Sequence, residues 1–574
     1  MSNTRPNKRS DPGTSDQLWI GVIALIAVVA ILAGPAYAGW VVGGRSWSAA
    51  AIATAAVLYV LVLTVAVMVT MALVRRRRGR VWTDPLARSM STRADIAPLT
   101  ARVVAADTAR LGAQTITAGV GVPVGTAVLT KQPLYGPWEF TQLWFMGPRM
   151  GKTTSQCIPH MVATGGPSLA TMNKPDLLHA TWGPRSEIGT VWISDPQQLA
   201  GQAPTWWWDP LSFITAGFGA VSRAEKLAGI FQAASTKPDA KEDAYFGPGG
   251  ESLLSDLLLA AAVAGEPITR VYEWLTFPDG EPDLPSPVQL LKDHGMHACA
   301  TSLTGHIRKT AKQRDGLYGS AQIIMRFLRE GEFLAWITST GTGDTRRQFS
   351  PQQFVTSTDT LYLLSQEGPG SARAITAALV NAVFVAAEEK ANASPGGRLA
   401  VPLLCELDEA ANICRLPQLP AIYSHFGSKG IILITILQSR EQGVQAWGES
   451  GLTSMVSSAS ILGIGGGIRD KDHLLDLVAL IGRRQEVHRS QTSGNKGNRS
   501  SSRDVREEDI FSVDDLAAFP RGRGVVFIAG TRPTLIKLDP WYEQDPHIAG
   551  KIAASIECYS PAAEAADLLA GSTP

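Results

Sequence analysis

The segment Gly147-Pro148-Arg149-Met150-Gly151-Lys152-Thr153-Thr154 joins a glycine-bounded turn to a lysine and two hydroxyls. Backbone N–H groups of such a turn can point at phosphate oxygens, the lysine ammonium can reach the β and γ oxygens of ATP, and the Thr153 hydroxyl can take a Mg2+ position. The full pattern G-x-x-x-x-G-K-[ST] would need glycine where Met146 stands, and Pro148 and Met150 replace smaller residues. A glycine turn entering a helix also occurs as plain structure, so this segment needs a partner. Leu403-Leu404-Cys405-Glu406-Leu407-Asp408-Glu409 supplies one, an apolar run ending in two acids. Adjacent carboxylates at the end of a buried strand are costly unless a cation or a reaction uses them. Asp408 can hold Mg2+ through water and Glu409 can polarise an attacking water; a solvated pair capping the next helix is the plainer alternative. A third run, Ile431 to Leu437, ends in Gln438-Ser439, where an amide can sense the γ-phosphate or orient water.

The elements that must position these groups are legible from hydropathy. Trp138 to Met146 reads as a strand, and Thr153 to Ala163 continues as a helix apart from Pro159. From Thr360 onward strand-like and helical runs alternate: Leu361–Ser365, Ala374–Ala391, Leu399–Leu407, Ile431–Gln438 and Ile461–Ile464. That alternation predicts a parallel sheet covered by helices. Lys152 and Asp408 lie 256 residues apart, more than a minimal nucleotide fold needs. The insertion is residues 222–335, where Leu253, Leu254, Leu257, Leu258 and Ala261 recur at helical spacing.

With 574 residues the chain is too long for one core. Hydrophobic residues make up 45% and charged residues 18%, which excludes a disordered chain and predicts a part in lipid. A net charge of +1 gives no overall basic excess, so any nucleic-acid contact must be local. The five cysteines are scattered without a CxxC pair, excluding a zinc ribbon and fitting a reducing compartment. Leu18 to Ala38 is 21 residues, about 31 Å of helix, and Ser46 to Val74 is also uncharged. Arg75 to Arg78 and Arg80 follow, so the positive-inside rule predicts two spans, about 18–38 and 49–74, with both termini and the body cytoplasmic at the plasma or inner membrane. Ala36-Tyr37-Ala38 also has the form of a signal cleavage site, whose use would leave the body where it is. Arg489 to Arg503 has no apolar side chain and reads as a flexible loop; the tail 561–574 reads as loose. Arg308, Lys309, Lys312 and Arg314, and Arg346 with Arg347, are local basic clusters, more often solvated helix faces than phosphate contacts. Trp206-Trp207-Trp208 reads as packing.

Asp408-Glu409-Ala410-Ala411-Asn412-Ile413-Cys414-Arg415-Leu416-Pro417 closely resembles the D-E-x-A-N-x-x-x-x-P motif of type IV secretion coupling proteins, the TraG/TraD-like ATPases of conjugative DNA transfer. The likeness extends to Gly147–Thr153, Asn173-Lys174-Pro175-Asp176, Trp208-Asp209-Pro210-Leu211, Gln438-Ser439 and Gly524–Lys537. It implies an α/β, RecA-like P-loop ATPase domain (136–221 and 336–560) with an inserted all-alpha substrate-recognition domain (222–335), a connector (81–135) and an N-terminal membrane anchor (1–80). It further implies a homohexamer that hydrolyses ATP with Mg2+. That assembly would pass a relaxase-bound single DNA strand, or a secreted protein, to the channel components of a type IV secretion system. On that likeness Lys152 and Thr153 bind phosphate and Mg2+, Asp408 holds the metal water, Glu409 is the general base and Gln438 the sensor. Members of the family often carry an arginine before the strand ending in Gln-Ser; here only Lys429 stands there, with Arg373 or Arg440 as substitutes. A chromosome-segregation or type VII translocase, and a nucleotide-binding membrane scaffold with little turnover, are the competing readings.

Overall fold

The computed structural model describes residues 81–574 apart from 114–118, 236–245, 369–371, 494–498, 563–567 and 570–574, together with scattered positions between 40 and 68. The chain divides into two units, Met1–Trp82 and Thr83–Pro574. In the first, the described positions between 40 and 68 are helical, and Val57, Val60, Leu61 and Met68 are exposed. Most of the expected spans 18–38 and 49–74, and of the tail 561–574, lie outside the described residues. Among the described residues no helix is long and apolar enough to cross a membrane.

The second unit is built on strands β1 (Val122–Ala127), β2 (Pro133–Gly136), β3 (Gln142–Phe145), β4 (Ser168–Met172), β5 (Val191–Ser194), β6 (Trp206–Trp207), β7 (Arg347–Gln348), β8 (Thr360–Leu364), β9 (Leu403–Asp408), β10 (Ile431–Leu437), β11 (Ile461–Ile464), β12 (Arg483–Ser493), β13 (Arg499–Asp509), β14 (Arg523–Ile528) and β15 (Thr534–Lys537). Eleven of them form one sheet in the order β2-β1-β15-β14-β11-β3-β10-β9-β4-β8-β5. From β11 to β5 every pairing is parallel; β14, β15, β1 and β2 extend the sheet antiparallel. The fold is therefore a mixed α/β sheet with a large parallel core.

Alternate residues of the central strands serve two cores. Leu143, Phe145, Leu403, Cys405, Leu407, Ile431 and Leu433 face one, and Trp144, Met146, Leu404, Ile432, Ile434 and Ile436 the other. A strand buried on both faces reads as a continuous apolar run, which is why β9 and β10 stood out. Helix Arg373–Asn392 covers the first face. Helices Asp176–Ser186 and Pro546–Tyr559 cover the second, locked by Trp182 stacked on Tyr559 at 4.3 Å.

The inserted residues form helices from Ala220–Ser235 to Gly331–Ile337, and their apolar side chains continue the first core without a break. The short parallel pair β6–β7 ties the two ends of the insertion, with Phe349 N–H donating to Trp207 O at 2.8 Å. Trp206 and Trp208 are buried at that root, Trp206 ringed by Trp192, Trp336 and Phe349, which is the packing role expected.

Two expectations change. The strand expected over Trp138–Met146 is only Gln142–Phe145, because Pro137 starts a turn closed by Phe140 N–H to Pro137 O. Of the loop expected over 489–503, residues 489–493 and 499–503 are instead drawn into an antiparallel ribbon, β12 with β13, paired in register from Arg483↔Asp509 to Ser493↔Arg499, and 494–498 lie outside the described residues. Backbone pairing needs no apolar side chain, so hydropathy gave no sign of it.

Candidate nucleotide site

The phosphate-loop segment leaves β3 at its C-terminal end and crosses the top of the sheet. Met146 N–H donates to Leu437 O and Gly147 N–H to Gly466 O, both at 2.9 Å, so the loop is stitched to β10 and to the glycine run after β11. A Cβ on Gly147 would lie 2.5 Å from Gly467 O, which only glycine avoids. Arg149 and Gly151 take positive φ, 62° and 90°, folding the loop back before Lys152 enters the helix.

That helix begins as a π turn, Thr153–Cys157, and becomes α over Ile158–Ala163. Pro159 has no N–H to close the ordinary bond onto Ser155 O and its ring crowds that carbonyl, so the wider turn is the local solution.

The two methionines that depart from the sequence pattern are accommodated from behind. A Cβ at Gly465 would meet Met146 Cγ at 2.7 Å; one at Gly466 would meet Met150 Cε at 2.2 Å; one at Gly467 would meet Met150 Cγ at 2.9 Å. Three successive glycines give up the volume that Met146 and Met150 take.

β9 and β10 deliver the acids and the amide beside this loop. Asp408 closes β9, its carbonyl accepting from Thr171 Oγ1 on β4 at 3.1 Å. Glu409 follows in the left-handed region, φ 56° and ψ 36°, a conformation that costs a non-glycine residue roughly 1–2 kcal/mol. Four groups offset that strain. Glu409 Oε1 takes Lys152 Nζ at 2.6 Å and Gln438 Nε2 at 2.7 Å, and Oε2 takes Asn173 Nδ2 at 2.5 Å. Glu367, after β8, also hydrogen-bonds to it, and is itself held by Asn412. Lys152 Nζ reaches Asp408 Oδ1 at 3.0 Å as well.

Lys152, Asp408, Glu409 and Gln438 thus converge, and Thr153 and Thr154 follow Lys152 on the helix start. Burial disfavours the Lys152 cation, but Asp408 and Glu409 outweigh it and raise its pKa. Burial pushes Asp408 up to about 6 despite Lys152. For Glu409 burial also acts upward, but Lys152 and its hydrogen bonds bring the pKa below the ordinary carboxylate value. Glu367 moves the other way, raised by burial and then by Glu409. One carboxyl is kept charged and its neighbours resist ionisation, the separation that acid–base work at neutral pH requires.

Sequence reasoning passed over several contributors. Glu367 and Arg521, whose Nε comes within 3.9 Å of a Cβ built on Gly151, lie in loops with no motif around them. Below Asp408, Glu406 Oε2 meets His160 Nδ1 at 2.8 Å with both side chains fully buried, and His160 Nε2 meets Pro123 O at 3.0 Å. This pair pins the helix after the loop to β9; the only sign of it was a glutamate inside an apolar strand. Of the cations weighed as arginine substitutes, Lys429 precedes β10, at the opposite edge of the sheet, and binds Glu388 at 2.5 Å. Arg440 pairs with Glu449, and Arg373 is half-buried near Glu367.

The basic clusters are partly spoken for. Arg314 pairs with Asp279 at 2.6 Å, Arg346 with Asp344 at 2.6 Å, and Arg347 lies over the Trp192 ring at 4.7 Å.

Comparison with known proteins agrees with this geometry. Residues 402–521 match the family described as the TraM recognition site of TraD and TraG. No curated protein matches the chain in sequence. Among solved structures, the bacterial conjugative coupling protein TrwB lacking 70 N-terminal residues, in a trigonal form with sulphate, is similar over 75% of this chain and 92% of its own, with TM-score 0.52 and 15% identity. TrwB with a non-hydrolysable ATP analogue gives TM-score 0.52 and 16% identity over 75% and 92%. TrwB with ADP and Mg2+ gives 0.51 and 16% over 75% and 91%. The resemblance carried by Asp408–Pro417 is borne out: residues 402–521 match the family described as the TraM recognition site of TraD and TraG, and three quarters of the chain is similar in fold to a conjugative coupling protein.

Proposed function

We propose that this chain is a membrane-anchored coupling ATPase of a type IV secretion or conjugation system. It recruits a relaxase-bound single DNA strand, or a secreted protein, and drives its transfer to the channel by ATP hydrolysis. The observation that carries the reading is the Glu409 carboxylate gripped by Lys152, Gln438 and Asn173, groups brought from three different strand ends.

The residues present fit Mg2+ and ATP. Lys152 is held in place by two carboxylates, so a triphosphate offers it a stronger counter-charge in the same place. Asp408 Oδ1 is buried and accepts no hydrogen bond of normal geometry, only the ion pair of Lys152. Asp408 and the Thr153 hydroxyl are the groups that would hold Mg2+. The metal when bound supplies charge neutralisation on the phosphate oxygens. Residues Gly147 to Thr154 then wrap the phosphates with backbone N–H groups. As Lys152 turns to phosphate, Glu409 keeps Gln438 and Asn173 and is freed to take a proton from water. Gln438, bridging from β10, orients that water and couples the γ-phosphate position to Glu409.

The exposed apolar side chains Val57, Val60, Leu61 and Met68 support the anchor, since water does not favour such a face. The helices between Ala220 and Ile337 are the proposed substrate-recognition domain, and a homohexamer is the proposed assembly.

The test is the ATPase rate of the detergent-solubilised full chain with no nucleic acid, single-stranded DNA and duplex DNA. Lys152→Ala is expected to lower turnover at least ~10³-fold by analogy with the loss of a group that stabilises transferring phosphate. DNA stimulation absent in that variant supports the reading; turnover indifferent to DNA moves it to protein export, and absent turnover to a scaffold.

A further inference from the structure

The β12–β13 ribbon changes character halfway along. Eleven register pairs make it about 36 Å long at ~3.3 Å per residue. In the half nearer its root, opposite charges face each other: Arg483 with Asp509, Arg484 with Glu508 and Glu486 with Arg506, followed by Val487 with Val505. The root is also laced by ion pairs, Arg483 to Asp509 at 3.2 Å and Arg506 to Asp504 at 2.9 Å. Beyond, the pattern inverts. Arg489 stands directly opposite Arg503, and Arg499 opposite Ser493. From Val487 to Arg503 the sequence has no Asp or Glu.

Like charges directly opposite on a ribbon destabilise it. The period of two places Arg489, Arg503 and Arg499 on one face, with Gln491 and Ser501 between them. Ser490, Thr492, Ser500 and Ser502 make up the other. The arginine pair and Arg499 are four residues apart, about 13 Å along the strand. A neutral or acidic root carrying a like-charged outer half is an arrangement that gains stability when an extended polyanion lies along it.

We propose that the outer half of this ribbon is a nucleic-acid contact, with Arg489, Arg499 and Arg503 spanning successive backbone phosphates; this rests on the DNA-handling reading above. No apolar residue lies between His488 and Arg503, so the segment has nothing to bury in lipid, and no aromatic, so it has nothing to stack on bases. Its contact is to phosphate, independent of sequence and steeply dependent on salt.

The experiment compares the full-length chain with the triple variant R489S/R499S/R503S and with R489K/R499K/R503K. Each is titrated with a 30-nucleotide single strand and a 30-base-pair duplex, between 50 and 200 mM salt, and with vesicles containing anionic lipid. Basal ATPase without DNA checks folding and is expected to be unchanged in both. The serine variant is expected to bind DNA at least ~10-fold more weakly at low salt, with the log–log salt slope reduced by about 2 to 3. The lysine variant keeps most of both. Whichever DNA form loses more identifies the backbone it tracks. If wild type binds DNA and the serine variant binds it equally, the ribbon is not the contact. Loss of vesicle binding alone would overturn the proposal in favour of a membrane contact. If wild type binds neither DNA, the DNA-handling reading falls and takes this one with it.

Discussion

Two cations, Lys152 half-buried and Arg185 fully buried, stand at opposite ends of the parallel strands, and they are held in opposite ways. Lys152, at the C-terminal ends of the strands, is gripped by the carboxylates of Asp408 and Glu409. Arg185, in helix Asp176–Ser186, is fully buried at the N-terminal ends. It donates to Thr360 Oγ1 at 2.6 Å, Gly166 O at 2.8 Å, Thr358 O at 3.3 Å and Thr164 O, with no carboxylate among these partners. Burial lowers its pKa, yet a guanidinium stays charged at any physiological pH. The cage is built to be permanent: its acceptors are carbonyls of the loops before β4 and β8 and the hydroxyl of Thr360, which opens β8. The carboxylate grip can be exchanged on the proposed reading, because a phosphate can replace a carboxylate as the partner of an ammonium. On the proposed reading, charge at one end of the strands fixes the sheet, and at the other it is exchanged for phosphate.

The sharpest way to break this contrast is Glu409→Gln. Removing the charge while keeping the shape should leave nucleotide binding and cut steady-state turnover by about 10²- to 10⁴-fold, the usual worth of a general base. Binding by fluorescent nucleotide and turnover by phosphate release separate the two; retained turnover would leave the silent scaffold standing. At the other end, Arg185→Met should cost roughly 3–5 kcal/mol of stability, since several buried acceptors lose their donor together. Turnover of the fraction that folds should change less than about twofold. A large activity loss without a fall in apparent Tm would mean that Arg185 is not merely a brace. The smallest effect is in pH. In the nucleotide-free protein Asp408 has a folded pKa of about 6 against an ordinary 3.8. The folded state then binds a proton more tightly, so this group's stability is fully present below about pH 4 and is lost as pH rises through 6. Denaturation of wild type relative to Asp408→Asn should show a decline of at most about 3 kcal/mol across that window. A flat difference would show that Lys152 keeps Asp408 ionised and that both ends hold fixed charge.

What could be read from the residues follows the same division. Gly147–Thr154, Asp408-Glu409 and Gln438 were legible because each sits at the end of an apolar run, where chemistry interrupts hydropathy. The helical insertion was legible from leucine spacing. Arg185 was not, since one arginine on a helix is ordinary until loops distant in sequence close around it. Glu367 and Arg521 were hidden for the same reason, and so was the ribbon, whose order comes from paired backbone amides and not from burial. The antiparallel extension β14-β15-β1-β2 escaped because it joins segments some 400 residues apart.

Met146, Met150 and the run Gly465-Gly466-Gly467 share a single volume, although more than 300 residues of sequence lie between them. Restoring glycine at Met146 would empty space that nothing behind it can fill, at a cost that grows by about 24 cal/mol per Å³ of cavity. Adding a methyl at Gly466 would collide with Met150 Cε at 2.2 Å and with Phe519 O at 2.6 Å, so that Met150 would have to move. The phosphate loop of this protein therefore cannot be transplanted or repaired alone; it has to be exchanged together with its backing, as a lock is changed with its strike plate.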